Sequence, residues 1–185
     1  MNSPQLHSSH HYTVADYAAW NDNRRYELLH GRVHAMSPAP TLRHQAISRN
    51  LSFEVVHFLK PKTKCQVFYA PVDVYLADDT VVQPDIIVVC DPEKLEPKGC
   101  VGAPDLIVEI LSPSTSKTDW KEKYRLYEQA GVREYWIVNP DDGLLHVFRL
   151  LNSKFQLDGT YAAEDAVTIG IFDDVVINLK NVFAE

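Results

Sequence analysis

The chain has 185 residues, 45% of them hydrophobic and 23% charged, which is enough for one soluble globular domain with a core. A net charge of −7 argues against a protein that coats nucleic acid non-specifically, because such affinity depends on neutralising phosphates. No stretch reaches the about 18 apolar residues of a membrane helix, and the polar start MNSPQLHSSHH lacks the apolar core of a signal peptide. We therefore expect a cytoplasmic protein without a membrane partner, with a flexible tail over 1–12 and one domain over 13–185.

The three cysteines, Cys65, Cys90 and Cys100, lack the close pairing of a zinc site. An odd number of cysteines without a regular framework is typical of reduced thiols in the cytoplasm. The sequence therefore predicts three free thiols and no zinc centre.

The first third of the chain predicts a short helix, a hairpin and a long helix. Thr13 and Asp16 have the spacing of a capping box and indicate a helix that starts at this point. The segment YELLHGRVHAM has two apolar-rich halves around His30–Gly31, as in a β-hairpin. In TLRHQAISRNLSFEVVHFLK, residues 41–60, apolar side chains recur at helical spacing.

The middle of the chain predicts strands and one crossover helix. CQVFYAPVDVYLA and VVQPDIIVVC are predicted strands around a turn at Asp78–Asp79, and DLIVEILS is a continuous apolar run typical of a strand buried on both faces. A helix capped near Ser114 to Ser116 and ended by Gly131 precedes the strands EYWIVNP and LLHVFRLL. Strand, helix and strand in this order predict a parallel crossover, and hence an α/β fold with a mixed central sheet flanked by helices.

Two carboxylates stand where folding alone does not place them. Asp85 interrupts VVQPDIIVVC and Glu109 interrupts DLIVEILS, although both strands otherwise consist of core residues. A buried, unpaired carboxylate costs several kcal/mol, so each needs a cation, a hydrogen-bond network or a metal ion. Mg²⁺, or Mn²⁺ in its place, suits such oxygen ligands, and the carbonyl of Ile110 is a further candidate ligand. Asp105 begins the same strand, and we interpret it as a solvent-facing residue.

Lys123 supplies a positive group on the crossover helix. It shares a helical face with Trp120 and Tyr127, three residues before and four after it, which indicates that it faces the protein. A lysine beside a metal-bound water orients that water or offsets charge on the attacked phosphate. The alternative is a structural ion pair between Lys123 and Glu109 without a metal.

The runs QPDIIVV and PDLIVEILSPSTSKTDWKEKYRLYEQAGVREYWIVNP resemble the Uma family, a restriction-endonuclease-type family of the PD-(D/E)xK nuclease superfamily. The resemblance extends from YELLHGRVHAMSP to EYWIVNP and implies the restriction-endonuclease-like fold. It implies that Asp85 is the aspartate of the PD half and that Glu109 is the acid of the second half. Leu111 stands where the standard motif has lysine, and Lys123 resembles its migrated substitute.

The same resemblance implies two accessory residues. Glu27 matches an acidic position of the family pattern and is expected to complete the metal site. The alternative is a charged residue without a catalytic role at the edge of the sheet. His44 matches a position on the long helix and is expected near phosphate or a metal-bound water, whereas its alternative is a surface histidine. Restriction-type nucleases pair to cut both strands, so we expect a homodimer.

These observations predict a Mg²⁺-dependent endonuclease that hydrolyses DNA phosphodiester bonds with Asp85, Glu109, Lys123 and Glu27. The alternative is a non-catalytic module of the same fold that binds nucleic acid or protein, which the displaced lysine and the acidic net charge favour. A hydrolase of another phosphate ester, such as a nucleotide, is a third hypothesis.

Overall fold

The computed structural model describes residues 2–6, 9–36, 39–60, 64–112, 119–172 and 174–184. The α-helices in these ranges are α1 (Val14–Ala18), α2 (Leu42–Leu59), α3 (Asp119–Ala130) and α4 (Leu179–Phe183). The strands are β1 (Tyr26–Leu29), β2 (Arg32–Ala35), β3 (Gln66–Tyr69), β4 (Val74–Ala77), β5 (Thr80–Val82), β6 (Ile86–Val89), β7 (Leu95–Glu96), β8 (Gly99–Val101), β9 (Leu106–Ile110), β10 (Glu134–Asn139), β11 (Leu144–Leu151), β12 (Lys154–Ala162), β13 (Ala166–Thr168) and β14 (Val176–Asn178).

The predicted helix starts are confirmed where the structure describes them. At α1 the backbone N–H of Thr13 donates to Asp16 Oδ2 over 2.8 Å, and the Thr13 hydroxyl accepts from the Asp16 backbone. At α2 the hydroxyl of Thr41 accepts from the backbone N–H of His44. The predicted cap at residues 114–116 lies outside the described residues. The α/β fold is confirmed, with helices on a mixed sheet.

The central sheet has the strand order β12-β11-β10-β9-β6-β3. Strands β9 and β10 run parallel, with Leu106 opposite Glu134, so the crossover through α3 is confirmed. Strands β6 and β9 run antiparallel, with Ile86 opposite Val108. Both faces of these central strands are covered: α2 and α4 pack on one face, and α3 packs on the other.

A second sheet with the order β2-β1-β5-β4-β8-β7 lies beside the central one. The sequence predicts VVQPDIIVVC as one strand, but Gln83–Pro84 divides it into β5 of the second sheet and β6 of the central sheet. Pro84 has no backbone N–H for a strand ladder, which makes this the point where the chain changes sheets. The predicted hairpin is confirmed, since β1 and β2 pair around His30–Gly31.

Two further sequence predictions are wrong, and the first concerns the thiols. Cys65 and Cys90 form a disulfide, and only Cys100, which is buried, is a free thiol among the described residues. The pairing of Gln66 with Val89 between β3 and β6, continued by one residue, sets Cys65 opposite Cys90, which sequence spacing does not reveal.

The second wrong prediction concerns Asp105, which does not face solvent. It is buried at 9% exposure, and its two oxygens accept from the backbone N–H of Cys90 at 2.8 Å and from Arg133 at 3.0 Å. The parallel pairing of β9 and β10 brings Arg133 to the start of β9, so Asp105 has partners that the local sequence does not show. No helix within the described part of the chain is long and apolar enough to cross a membrane.

Candidate active site

Asp85 and Glu109 lie at the same end of two neighbouring central strands. The antiparallel register of β6 and β9 pairs Ile86 with Val108 and Ile87 with Ile107. Continued by one residue, that register sets Asp85 opposite Glu109. Residues opposite each other in an antiparallel pair project to the same face of a sheet, so the two carboxylates share one face.

The carboxylate of Asp85 is bonded to the end of β9 and to helix α2. Its Oδ2 accepts from the backbone N–H of Ile110 at 2.8 Å and lies 3.4 Å from His44 Nε2. The same imidazole nitrogen lies 3.1 Å from the carbonyl oxygen of Ile110. Burial opposes a charge on His44, but Asp85, the Ile110 carbonyl and Glu109 outweigh it and raise the pKa of His44.

Glu109 is bonded to helix α3. Its Oε1 accepts from Lys123 Nζ at 3.0 Å and from the hydroxyl of Tyr127 at 2.7 Å. Burial raises the pKa of Glu109 to about 7. The charge of Lys123 opposes this shift, whereas the nearby carboxylates of Asp85 and Glu27 add to it. The single ammonium of Lys123 does not neutralise the three carboxylates, and the raised pKa of Glu109 reflects the negative charge that remains.

Glu27 reaches this cluster from the second sheet. Its Oε1 accepts from Lys123 Nζ at 2.9 Å and from the backbone N–H of Gln83 at 2.9 Å. Lys123 is 12% exposed and therefore bridges Glu27 and Glu109 inside the protein. Burial disfavours its charge, but the two carboxylates outweigh burial and hold the pKa of Lys123 well above its usual value.

The structure brings together the site residues that the sequence predicts: Glu27, His44, Asp85, Glu109, Ile110 and Lys123. Sequence reasoning missed the bonds from Tyr127 and Gln83. Tyr127 shares the helical face of Lys123, which is a signal for the site, but an aromatic side chain on its own indicates core. Gln83 acts through its backbone N–H, for which the residue type carries no signal. The side chain of Trp120 lies outside the described residues.

Each carboxylate keeps one oxygen without a hydrogen bond to the described residues. Asp85 uses Oδ2, while Glu27 and Glu109 each use Oε1, so Asp85 Oδ1 and the two Oε2 atoms stay open. Within the described ranges no group of three or more His, Cys, Asp or Glu side chains is placed to hold one ion. A magnesium site with two carboxylates, a carbonyl and waters needs no such group, so the open oxygens and the Ile110 carbonyl fit a hard cation.

This fold, with acids converging at one end of the central strands, defines a restriction-endonuclease-like protein. The chain belongs to the Uma2 family, described as "Putative restriction endonuclease", whose model matches residues 14–179. It is 30% identical over 158 residues to an uncharacterized protein of Synechocystis sp., a match that covers 83% of this chain and 82% of that one.

The fold is also similar to the crystal structure of a "putative nuclease belonging to DUF820" from Anabaena variabilis ATCC 29413. The superposition has a TM-score of 0.75 and covers 93% of this chain and 97% of the other, with 22% sequence identity. At that identity the likeness establishes the fold alone.

Proposed function

We propose that this protein is a metal-dependent endonuclease that hydrolyses phosphodiester bonds of DNA. One observation carries the proposal: the register of β6 and β9 sets Asp85 opposite Glu109, each with an open oxygen, next to a buried lysine. Buried acids with a surplus of negative charge are destabilising without a cation, and such clusters mark functional sites. Membership of a family described as restriction endonucleases supports the same conclusion.

Asp85, Glu109 and the Ile110 carbonyl are the groups that would hold Mg²⁺ or Mn²⁺. A divalent ion there supplies Lewis-acid polarisation of a phosphate and lowers the pKa of a bound water. The hydrogen bond from the Ile110 N–H to Asp85 fixes the carboxylate against the strand that carries the carbonyl ligand. Tyr127 holds Glu109 in the same way from α3.

Lys123 is the positive group of the site. We assign it the orientation of the attacking water and the stabilisation of charge that develops on the phosphate. Glu27 positions the ammonium of Lys123 through a second ion pair, and the backbone N–H of Gln83 in turn holds the Glu27 carboxylate. We assign to His44, which lies between Asp85 and the Ile110 carbonyl, the contact with a phosphate oxygen or a bound water.

The proposal includes a DNA substrate in the cytoplasm and a homodimer that cuts both strands. The Cys65–Cys90 disulfide bears directly on the location, because cytoplasmic thiols are usually reduced. Alkylation of protein taken from cells tests the location: labelling of Cys65 and Cys90 under native conditions would support the cytoplasm, whereas a mass shift at Cys100 alone, after unfolding, would support an oxidising compartment.

The test is a cleavage assay with DNA, RNA and nucleotide substrates in the presence of Mg²⁺ or Mn²⁺. We expect cleavage of DNA by the wild type, and a loss of at least about a hundredfold in rate for Asp85→Asn and Glu109→Gln. Asp105→Asn is the matched control, because it changes an acid of the same strand at its other end. DNA left intact by the wild type with either metal would contradict the proposal.

The Glu27–Lys123–Glu109 ion pairs also favour a second function, a non-catalytic binding module. In that case the carboxylates hold the fold, so Glu109→Gln destabilises the protein and leaves nucleic-acid or protein binding intact. Preserved stability with abolished cleavage in Glu109→Gln excludes the module.

A further inference from the structure

A polar cleft of about 620 Å³ lies beside the edge strand β2, between the His30–Gly31 turn and the N-terminal segment. Its lining includes His10 of the N-terminal segment, His30 of the turn, and Arg32 and His34 of the strand. A site of this size accommodates a ligand of one or two nucleotide units by volume.

The N-terminal segment is bonded to the hairpin and forms one wall of this cleft. The backbone N–H of Tyr12 donates to the carbonyl of Gly31 at 2.9 Å, and its ring packs on Trp20 at 5.5 Å between centroids. The imidazole of His11 lies over Gly31, where a β-carbon would clash with the ring. Gly31 has a φ of +73°, so both the turn and the docking of this segment require glycine.

The charge of this cleft differs from that of the whole protein. The chain carries a net charge of −7, yet the described residues that line the cleft include Arg32 and four histidines, and no Asp or Glu. The nearby Asp79 is bonded to His11, 3.2 Å from its Nε2. The side chains of Arg32 and His34 make no hydrogen bond or ion pair within the described part of the chain. A guanidinium and imidazoles without carboxylates are donors for an anion rich in oxygen.

The cleft adjoins the candidate active site through the pairing of β1 with β2. His34 is opposite Glu27, and Arg32 is opposite Leu29. Opposite residues of an antiparallel pair project to the same face, so His34 and Arg32 extend the face that carries Glu27. A chain of phosphates that crosses the carboxylate cluster would therefore continue over these two side chains.

We propose that this cleft binds the sugar–phosphate backbone of the nucleic-acid strand that flanks the cleaved bond. Arg32 donates to a phosphate, and His34 and His30 donate to the same or the adjacent phosphate. The inference rests on the proposed nuclease function, since it assigns the flanking part of that substrate. It adds a binding site formed by the hairpin and the N-terminal segment, outside the carboxylate cluster.

The test measures binding without cleavage, by fluorescence anisotropy of a short labelled oligodeoxynucleotide in EDTA. Arg32→Ala and His34→Ala should each raise the dissociation constant by about tenfold, which is the effect of losing one charge-assisted hydrogen bond. His34→Gln keeps a side-chain donor and should recover most of the affinity. Lys180→Ala is the matched control, because it removes one positive charge from the exposed surface of α4.

Three results would overturn the inference: no binding by the wild type, unchanged binding by both cleft variants, or an equal loss in Lys180→Ala. The last would mean that only overall charge matters. The nuclease proposal fails separately, by intact DNA in the metal-dependent assay, so each failure is distinguishable. Circular dichroism of each variant separates loss of binding from loss of folding.

Discussion

The two ends of β9 and β10 both bury carboxylates, but they satisfy them differently. At the amino end, the two oxygens of Glu134 accept from Trp136 Nε1 at 2.7 Å and the backbone N–H of Ile171 at 3.0 Å. Asp105, at the same end, also uses both oxygens. Each oxygen of these two carboxylates therefore accepts a hydrogen bond, three from neutral donors and one from an arginine.

At the carboxyl end, three acids lie near one another, and two of them bind the same ammonium. Glu27 and Glu109 share Lys123, and Asp85 relies on one backbone N–H and an imidazole. Among the described residues, no partner reaches the second oxygen of any of the three. Burial of one carboxylate therefore does not indicate a functional site, whereas several buried carboxylates with open oxygens do. Substitutions at the two ends should therefore have different effects.

The largest effect is expected from Lys123→Met, which leaves Glu27 and Glu109 buried without a cation. We expect a loss of about 3–5 kcal/mol in the free energy of unfolding, measured by urea denaturation. The matched change at the amino end, Arg133→Met, removes an arginine that is 57% exposed and should cost about 1 kcal/mol or less. Equal losses would mean that the two ends do not differ.

Removing the titration of Glu109 should change how stability depends on pH. The folded pKa of Glu109 is about 7, above its ordinary value of 4.5, so folding takes up a proton in that interval. Its contribution to stability is present below pH 4.5 and is lost as pH rises towards 7. The unfolding free energy of wild type minus that of Glu109→Gln should fall by on the order of 2 kcal/mol across this window. A difference independent of pH would contradict the raised pKa.

Tyr127→Phe removes a hydrogen bond to a buried carboxylate. We expect a loss of about 1.5–3 kcal/mol in thermal or urea unfolding, with an unchanged far-ultraviolet circular dichroism spectrum. An unchanged stability would show that Tyr127 only packs in the core.

Tyr135→Phe is expected to have the smallest effect. The hydroxyl of Tyr135 is fully buried, and no hydrogen-bond partner for it occurs among the described residues. Because deletion of an unpartnered polar group removes no bond, stability should stay within about 0.5 kcal/mol of the wild type or rise. A loss as large as that of Tyr127→Phe would reveal a partner for this hydroxyl, such as an ordered water.

Much of this site was predictable from local sequence. Asp85 and Glu109 interrupt apolar runs, and the shared helical face of Lys123 and Tyr127 indicates a lysine that faces inwards. These signals depend on residues near one another in the chain. The approach of Glu27 was expected only from the family resemblance, because it joins β1 of the second sheet to α3 of the central one.

Long-range pairing explains what the sequence did not reveal. The disulfide depends on the register of β3 with β6, and the burial of Asp105 depends on the partner strand that carries Arg133. Pro84 indicates a break in the strand VVQPDIIVVC, but the sequence does not show that the two halves belong to different sheets. Register and sheet order are set by contacts far apart in sequence, which periodicity does not encode.

We propose that Asp85 and Glu109 hold one divalent cation, and calorimetric titration of the metal-free protein with Mg²⁺ measures that binding. We predict saturable binding by the wild type and by Asp105→Asn. Asp105 lies at the other end of β9, and both of its oxygens already accept hydrogen bonds. We predict no detectable binding by Asp85→Asn or Glu109→Gln. Equal binding by the wild type and Asp85→Asn, or no binding by the wild type, would show that these two carboxylates do not form a metal site.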